Sequence, residues 1–161
     1  MLKKVEQVVV WLENALAVFF LTIMIIAVGT QVLSRYFLPV PVSWTEELAR
    51  YSLIWLTFIG AAMAMHSKVH FVLEVILNKM APKIKYAVQI GILIVLGAFL
   101  AVNAYSSTLI LKVLQYQTSA ALQVPMSYVY LSMPVASIFM LIHITVQLFD
   151  KVKQGTHSER N

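Results

Sequence analysis

The stretch VSWTEELARY, residues 42–51, places three charged side chains where an apolar run begins. Ser43 and Glu46 have the spacing of a capping box, which satisfies the free backbone N–H groups at a helix start. Arg50 follows Glu46 by four residues and Glu47 by three, so either carboxylate can pair with it on one helix face. A cap needs only one acid, so a role of this charge cluster in holding a partner subunit stays open.

Large side chains recur along the same helix at spacings of four, three, four and three: Trp44, Leu48, Tyr51, Trp55 and Phe58. Such a stripe can face lipid or fill a groove in another membrane protein, but packing inside the protein is the default interpretation. Gly60 and Ala64 form a small-xxx-small pair on this helix, which lets a second helix approach closely.

Other titratable residues also lie next to apolar runs. Glu13 has no evident partner for a proton relay, so we expect it to mark a helix that bends along the membrane surface before crossing. His66 and His143 fall toward the ends of their runs, where two imidazoles could hold haem. Because His143 lies about 10 Å inside its helix end at 1.5 Å per residue, their depths differ, and we interpret both as polar interface residues.

The composition is that of an integral membrane protein. The 161 residues are 60% hydrophobic and 12% charged, whereas soluble domains are about a quarter charged. The lack of cysteine excludes disulfides, zinc thiolates and iron–sulfur clusters. The net charge of +5 comes from basic residues that flank apolar runs, which indicates contact with membrane lipid and not with nucleic acid. No A-x-A cleavage site follows the first apolar run, and the run is long, so we expect an uncleaved helix.

Four runs are long enough to cross a bilayer, which takes about 20 apolar residues in a helix. We predict an all-α membrane protein in which residues 1–161 form a single domain, with Val8–Asn14 as an interfacial lead-in. The predicted crossings lie at about 15–34, 48–65, 86–111 and 126–149. Pro134 should bend the fourth crossing near Tyr130, because it removes a backbone donor.

The loops predict the orientation. Nine Lys and Arg residues fall on the side of the two termini and three on the other side, so both termini are predicted to be cytoplasmic. The run VHFVLEVILNKM, residues 69–80, has apolar residues on one helical face and His70, Glu74 and Asn78 on another. This pattern predicts a short amphipathic helix in the cytoplasmic interface, and the alternative is an extension of the neighbouring crossings.

No transport route is evident in the sequence. Secondary transporters usually build their sites from two related broken helices in inverted repeats, and this chain has neither a repeat nor a charged midplane pocket. It also has no phosphate loop, nucleophile elbow or metal-ligand cluster. We therefore interpret the chain as a scaffold and not an enzyme. Two alternatives stay open: a haem-binding membrane anchor of a respiratory oxidoreductase, and a small exporter working as a homo-oligomer.

The run LSRYFLPVPVSWTEELARYSLIWLTFIGAAMAMHSKVHFVLEV resembles the small, DctQ-type membrane subunit of tripartite ATP-independent periplasmic (TRAP) transporters. The residues that match the family pattern are Arg35, Pro39, Trp44, Glu46, Glu47, Arg50, Trp55, Phe58, Gly60 and His70. The segment ALQVPMSYVYLSMPV, residues 121–135, also resembles the start of the family's fourth helix. The chain departs from the pattern around His70, where the family usually has a preceding Gly and an Asp in place of Glu74.

This resemblance implies a division of labour. A periplasmic binding protein would deliver an organic acid, and a large elevator-type subunit would hold the substrate and sodium sites, so this chain would need no cofactor. The small subunit would pack against the large one in the bacterial inner membrane. We expect the interface to include Arg35, Trp44, Glu46, Glu47, Arg50, Tyr51, Trp55, Phe58, Gly60, Ala64 and His70. Sialic acid and C4-dicarboxylates are both implied as substrates, with a slight preference for sialic acid.

Overall fold

The computed structural model describes residues 2–37, 42–66 and 82–158, and these residues are almost entirely helical. Their helices are α1 (Leu2–Phe37), α2 (Ser43–His66), α3 (Pro82–Leu114), α4 (Met126–Tyr130) and α5 (Ser132–Ser158). Four helical segments are long and apolar enough to cross a membrane, with α4 and α5 together forming the fourth. The all-α class and the prediction of four helices long and apolar enough to cross a membrane are confirmed. The predicted amphipathic helix at 69–80, including His70, lies outside the described residues.

The helices are longer than the predicted crossings. The 36 residues of α1 span about 54 Å at 1.5 Å per residue, well beyond a hydrocarbon core of about 30 Å. Val8–Asn14 belongs to this continuous helix, so the predicted bend at Glu13 is wrong, while the interfacial position of Val8–Asn14 stays a prediction. No glycine or proline precedes Gly29 in α1, so the backbone has no residue that favours an earlier break.

The fourth crossing is the centre of the bundle. Helix α1 packs chiefly against α2, α2 against α5, and α5 against α3, while α5 also reaches α1. Small and polar residues line the buried side of α5, including Ser132, Ala136 and Ser137, which allow close approach of neighbouring helices. An apolar cluster of Leu93, Leu100 and Ile144 holds α5 against α3.

The break between α4 and α5 lies where the sequence predicts it. Pro134 cannot donate a backbone hydrogen bond, and α4 ends at Tyr130. Leu131 N–H still donates to the Ser127 carbonyl at 2.9 Å, and the Ser132 hydroxyl donates to the Val129 carbonyl at 2.9 Å. The carbonyls of Ser127 and Val129 thus have donors at the break between the two helices, as a hydrocarbon environment requires.

Trp55 connects three helices at the centre of the bundle. Its ring stacks on Phe20 of α1 with centroids 4.8 Å apart and an interplanar angle of 14°. Its Nε1–H donates to the Tyr128 carbonyl of α4 at 3.3 Å. A single side chain thus ties α2 to both the first and the fourth crossing.

Replacing Trp55 by Leu should lower the stability of the folded chain by about 1–2 kcal/mol, because the ring stack and the indole hydrogen bond are both lost. Thermal unfolding in detergent, followed by circular dichroism, measures the effect as a lower Tm. Trp11→Leu is the matched control, since Trp11 is 68% exposed. Equal Tm values for the two variants would contradict a connecting role of Trp55.

A candidate subunit interface on the second helix

One line of residues along α2 is exposed over the whole helix. Its members, which we call the α2 seam, are Glu46, Arg50, Leu53, Thr57, Gly60 and Ala64. Their spacings of four, three, four, three and four keep them on one stripe, as in helices that pair along their length. A Cβ atom added at Gly60 would meet no heavy atom within 4 Å, so the described part of the chain leaves this stripe open.

The α2 seam differs from the other exposed surfaces of the bundle. On α1 and α3 the exposed apolar residues are bulky, for example Phe19, Ile25, Val95 and Phe99. Bulky apolar side chains suit contact with lipid, whereas small residues let the backbones of two membrane helices approach closely. The seam therefore has the surface chemistry of a helix–helix contact and not that of a lipid-facing stripe.

An ion pair lies at the N-terminal end of the α2 seam. Arg50 Nη2 donates to Glu46 Oε1 at 2.7 Å, and the two side chains are 63% and 59% exposed. Of the two carboxylates that could pair with Arg50 by spacing, Glu46 is the one that does. Exposed pairs of this kind contribute little to stability, so the fold does not depend on it.

Glu47 has a different role, which the sequence did not reveal. Its Oε1 accepts from the backbone N–H groups of Ala120 and Ala121 at 3.0 and 3.1 Å, and its Oε2 accepts from that of Leu122 at 2.9 Å. A carboxylate that accepts several backbone N–H groups makes strong, charge-assisted hydrogen bonds. Glu47 thus fixes the connection between α3 and α4 onto the start of α2.

The connection held by Glu47 is itself compact. Ser119 N–H donates to the Val124 carbonyl at 2.9 Å, and Met126 N–H donates to the Gln117 carbonyl at 2.8 Å. Gln123 turns the chain with a φ of 56°, a left-handed value that is uncommon for residues other than glycine. The result is an ordered turn beside the charged end of the α2 seam.

The aromatic stripe of α2 packs partly inside the chain. Tyr51 and Trp55 contact the fourth crossing, the Tyr51 hydroxyl lying 3.6 Å from Met126 Sδ. Phe58 is half-buried, while Trp44 is 44% exposed at the start of the helix. Arg35 is exposed in the last turn of α1. Tyr51 and Trp55 thus have contacts inside the chain. Trp44, Arg35 and the α2 seam are exposed, and their role in a subunit interface stays a prediction.

A buried carboxylate–imidazole pair joins α1 to α5. His143 Nε2 lies 2.9 Å from Glu13 Oε1, and the two residues are 0% and 1% exposed. The interpretations of Glu13 as the mark of a surface bend and of His143 as an interface residue were therefore wrong. A buried carboxylate needs such a partner, because an isolated charge in an apolar interior is costly.

His66 and His143 are close neighbours despite their different distances from their helix ends. Their ring centroids lie 5.1 Å apart. Helix α2 ends at His66, while α5 continues for several turns beyond His143, which brings the two residues to one level. The prediction that His66 and His143 lie at different depths was therefore wrong. His143 Nε2 is bonded to Glu13 and its Nδ1 faces Glu6 Oε1 at 3.7 Å, so both ring nitrogens face carboxylates.

A seven-residue repeat in the sequence of α1 indicates which face of this helix is buried. Glu13, Phe20, Ala27 and Ser34 are seven residues apart and are all buried or half-buried. In a helix that packs lengthwise on another, this spacing keeps residues on the contact side. Glu13 could therefore have been placed inside the bundle from its register with Ala27.

A polar cleft of about 580 Å³ opens near this pair, at the end of the bundle where α1 begins and α5 ends. Its lining residues are Lys3, Glu6, Gln7, Val10, His66, Gln147 and Asp150. The Gln147 side-chain amide also donates to the Met65 carbonyl at 2.8 Å, and Lys151 Nζ donates to Gln89 Oε1 at 2.8 Å. These bonds brace α5 against the ends of α2 and α3.

Comparison with known families gives one match that covers most of the chain. The family model described as "Tripartite ATP-independent periplasmic transporters, DctQ component" matches residues 24–154. The matched range includes the α2 seam, Glu47 with its loop, and His143.

Curated relatives are similar over different shares of their length. The C4-dicarboxylate TRAP transporter small permease protein of Rhodobacter capsulatus is 26% identical over 70% of this chain and 50% of its own length. The isethionate TRAP transporter permease protein of Oleidesulfovibrio alaskensis is 30% identical over 68% of this chain and 18% of its own. The sialic acid TRAP transporter small permease protein of Vibrio cholerae is 22% identical over 94% and 88%. The chain thus spans half or less of the first two relatives.

Replacing Glu47 by Gln should loosen the connection between α3 and α4, because a neutral amide offers one acceptor oxygen where the carboxylate offers two. Hydrogen–deuterium exchange of the Ala120, Ala121 and Leu122 amides should become several-fold faster. Glu46→Gln is the matched control, since Glu46 bonds to Arg50 and not to this turn. Unchanged exchange in Glu47→Gln would show that the turn holds its shape alone.

Proposed function

The chain belongs to the DctQ component family of tripartite ATP-independent periplasmic transporters, a family of transporter subunits and not of enzymes, and we propose that it is the scaffold subunit of such a transporter. In this role it packs against a larger membrane subunit and has no solute route of its own. The observation behind this proposal is the α2 seam, an exposed line of residues with small side chains at Gly60 and Ala64 and an ion pair at its other end.

The α2 seam supports contact with a membrane helix of the larger subunit. Helices in lipid associate through close packing at small residues, and Gly60 and Ala64 provide that surface. The Glu46–Arg50 pair adds polar groups at one end, where a partner can exchange hydrogen bonds with them. The Oleidesulfovibrio alaskensis relative aligns over only 18% of its own length, which leaves room in that one chain for a second, larger membrane unit.

The proposal extends to orientation and cargo. Both termini lie in the cytoplasm of a bacterial cell, because the Lys and Arg residues are concentrated at that end. The turn held by Glu47 then faces the periplasm, where a substrate-binding protein docks. The transported solute is an organic acid and its uptake is coupled to sodium. Sialic acid is the first candidate, since the relative named for it aligns over nearly the full length of both chains.

Gly60→Leu should weaken the association with the large subunit on the order of tenfold, the change that about 1.4 kcal/mol produces. A Cβ atom at this position meets no heavy atom within 4 Å and the position is exposed, so the Tm of the isolated subunit should stay nearly unchanged. Co-purification of the co-expressed large subunit with a tagged small subunit measures the effect.

Gly91→Leu is the matched control, because Gly91 is also open but lies among bulky residues on α3. Undiminished co-purification with Gly60→Leu, or an equal loss with Gly91→Leu, would contradict the assignment of the interface to the α2 seam.

Liposomes that contain this chain alone should show no uptake of labelled sialic acid or of a labelled C4-dicarboxylate. Liposomes that also contain the large subunit should accumulate one of the two when the binding protein and an inward sodium gradient are supplied. The measurement is accumulated label with and without the sodium gradient. Solute flux through the isolated chain would overturn the scaffold function and favour a self-sufficient exporter.

A further inference from the structure

Four titratable side chains form a continuous series from the interior to the polar cleft. Glu13 Oε1 lies 2.9 Å from His143 Nε2, His143 Nδ1 lies 3.7 Å from Glu6 Oε1, and Glu6 Oε1 lies 3.8 Å from His66 Nε2. Glu13 and His143 are fully buried, while the Glu6 and His66 side chains are 19% and 41% exposed. The series therefore leads from two buried groups to two that reach the cleft.

We propose that this series is a proton-binding site, in which the buried Glu13–His143 pair takes up and releases one proton through Glu6 and His66. The site is independent of the interface on the α2 seam. The site binds a proton, which reaches it through the cleft of about 580 Å³ beside the start of α1.

The buried pair is incompletely satisfied, which is the main argument for this site. Glu13 Oε2 and His143 Nδ1 are buried and have no hydrogen-bond partner among the described residues. Buried polar atoms are normally hydrogen-bonded, so a native structure that leaves two of them without partners at one point has a reason for it. An imidazole nitrogen without a partner can accept a proton as well as donate one.

The Glu13–His143 pair has two possible protonation states, which differ in the hydrogen bonds that they make. With a proton on Nε2 only, neutral His143 donates to ionised Glu13, and the pair has one negative charge with Nδ1 as an empty acceptor. A second proton on Nδ1 makes the pair a neutral imidazolium–carboxylate, but its new N–H then lies 3.7 Å from Glu6, too far for a good hydrogen bond. In each state Nδ1 lacks a good hydrogen bond, as an acceptor in the first and as a donor in the second. The geometry of the pair therefore does not fix either state.

A proton can pass between the pair and the cleft. The gaps of 3.7 and 3.8 Å exceed direct hydrogen bonds, and one bridging water at each gap would connect the groups. His66 lines the cleft, so its ring can exchange protons with water there. Glu6 lies between the two histidines and would pass the proton from one to the other.

The other charged groups at this end of the bundle lie on α1, α3 and α5. Lys3 and Lys4 lie on α1, Lys85 near the start of α3, and Asp150 and Lys151 on α5. Lys3 and Asp150 line the cleft, and the Lys151 ammonium is bonded to a glutamine of α3. These charges modulate the electrostatic potential of the cleft, while Glu6 is the carboxylate next to His143.

The test is a pH series on the full-length chain in lipid nanodiscs from about pH 5 to 8, the range in which histidine changes charge. Ring-labelled histidine gives the protonation state of His143 by NMR, and labelled glutamate gives that of Glu13 by infrared spectroscopy. We expect the His143 signal to shift between two protonation states in the native chain. Glu13→Gln should remove or displace that transition, and Glu6→Gln should displace it while leaving the Glu13–His143 bond in place.

Glu46→Gln is the control, because Glu46 is exposed at the opposite end of α2 and should leave the His143 transition unchanged. A native His143 that keeps one protonation state over the whole series would overturn the proposal and make the pair a fixed structural contact. The native series decides the question even if Glu13→Gln fails to fold. Loss of binding to the large subunit in Gly60→Leu has no bearing on it, so the two proposals fail separately.

Discussion

Inside a hydrocarbon layer a polar group has no water to bond with, so it must find its partner within the protein. Most buried polar groups of the described helices obey this constraint, and Glu13 Oε2 and His143 Nδ1 are exceptions. Hydroxyls on α1 and α2 donate to carbonyls one turn earlier, as Thr22 does to Val18 and Ser52 to Leu48. The side chain of Asn103 in α3 accepts from the Ser137 hydroxyl in α5 at 3.1 Å. Where a polar group cannot be satisfied by its own helix, it determines which helices lie side by side.

This constraint gives the bundle its two polar ends and its apolar middle. At one end Glu47 binds the backbone of the turn before α4, and at the other Glu13 and His143 join α1 to α5. Between these ends aromatic stacking at Trp55 holds α2 to α1, and apolar contacts around Ile144, next to His143, hold α5 to α3. The α2 seam runs along the outside of this frame, so a partner helix can bind there without any rearrangement of the internal contacts.

The sequence predicted the features that depend on neighbouring residues. Hydropathy gave the four crossings, Pro134 gave the break at Leu131, and the four-residue spacing gave the Glu46–Arg50 pair. It did not predict contacts between distant segments, such as Glu47 with the 120–122 backbone or Glu13 with His143, because these depend on which helices become neighbours. The heptad register of α1 indicated that Glu13 is buried, but its partner followed only from the packing of α1 beside α5.

The way in which Glu47 binds its turn also determines how freely that turn can vary. The carboxylate accepts from the main-chain N–H groups at three consecutive positions, Ala120, Ala121 and Leu122, and the Ser119 side chain also hydrogen-bonds to it. These three hydrogen bonds do not involve the side chains of residues 120–122, so homologous proteins can differ at these positions while keeping the same backbone path. Proline is the exception, since it has no N–H to offer. The surface of this turn can therefore acquire new chemistry without a new fold.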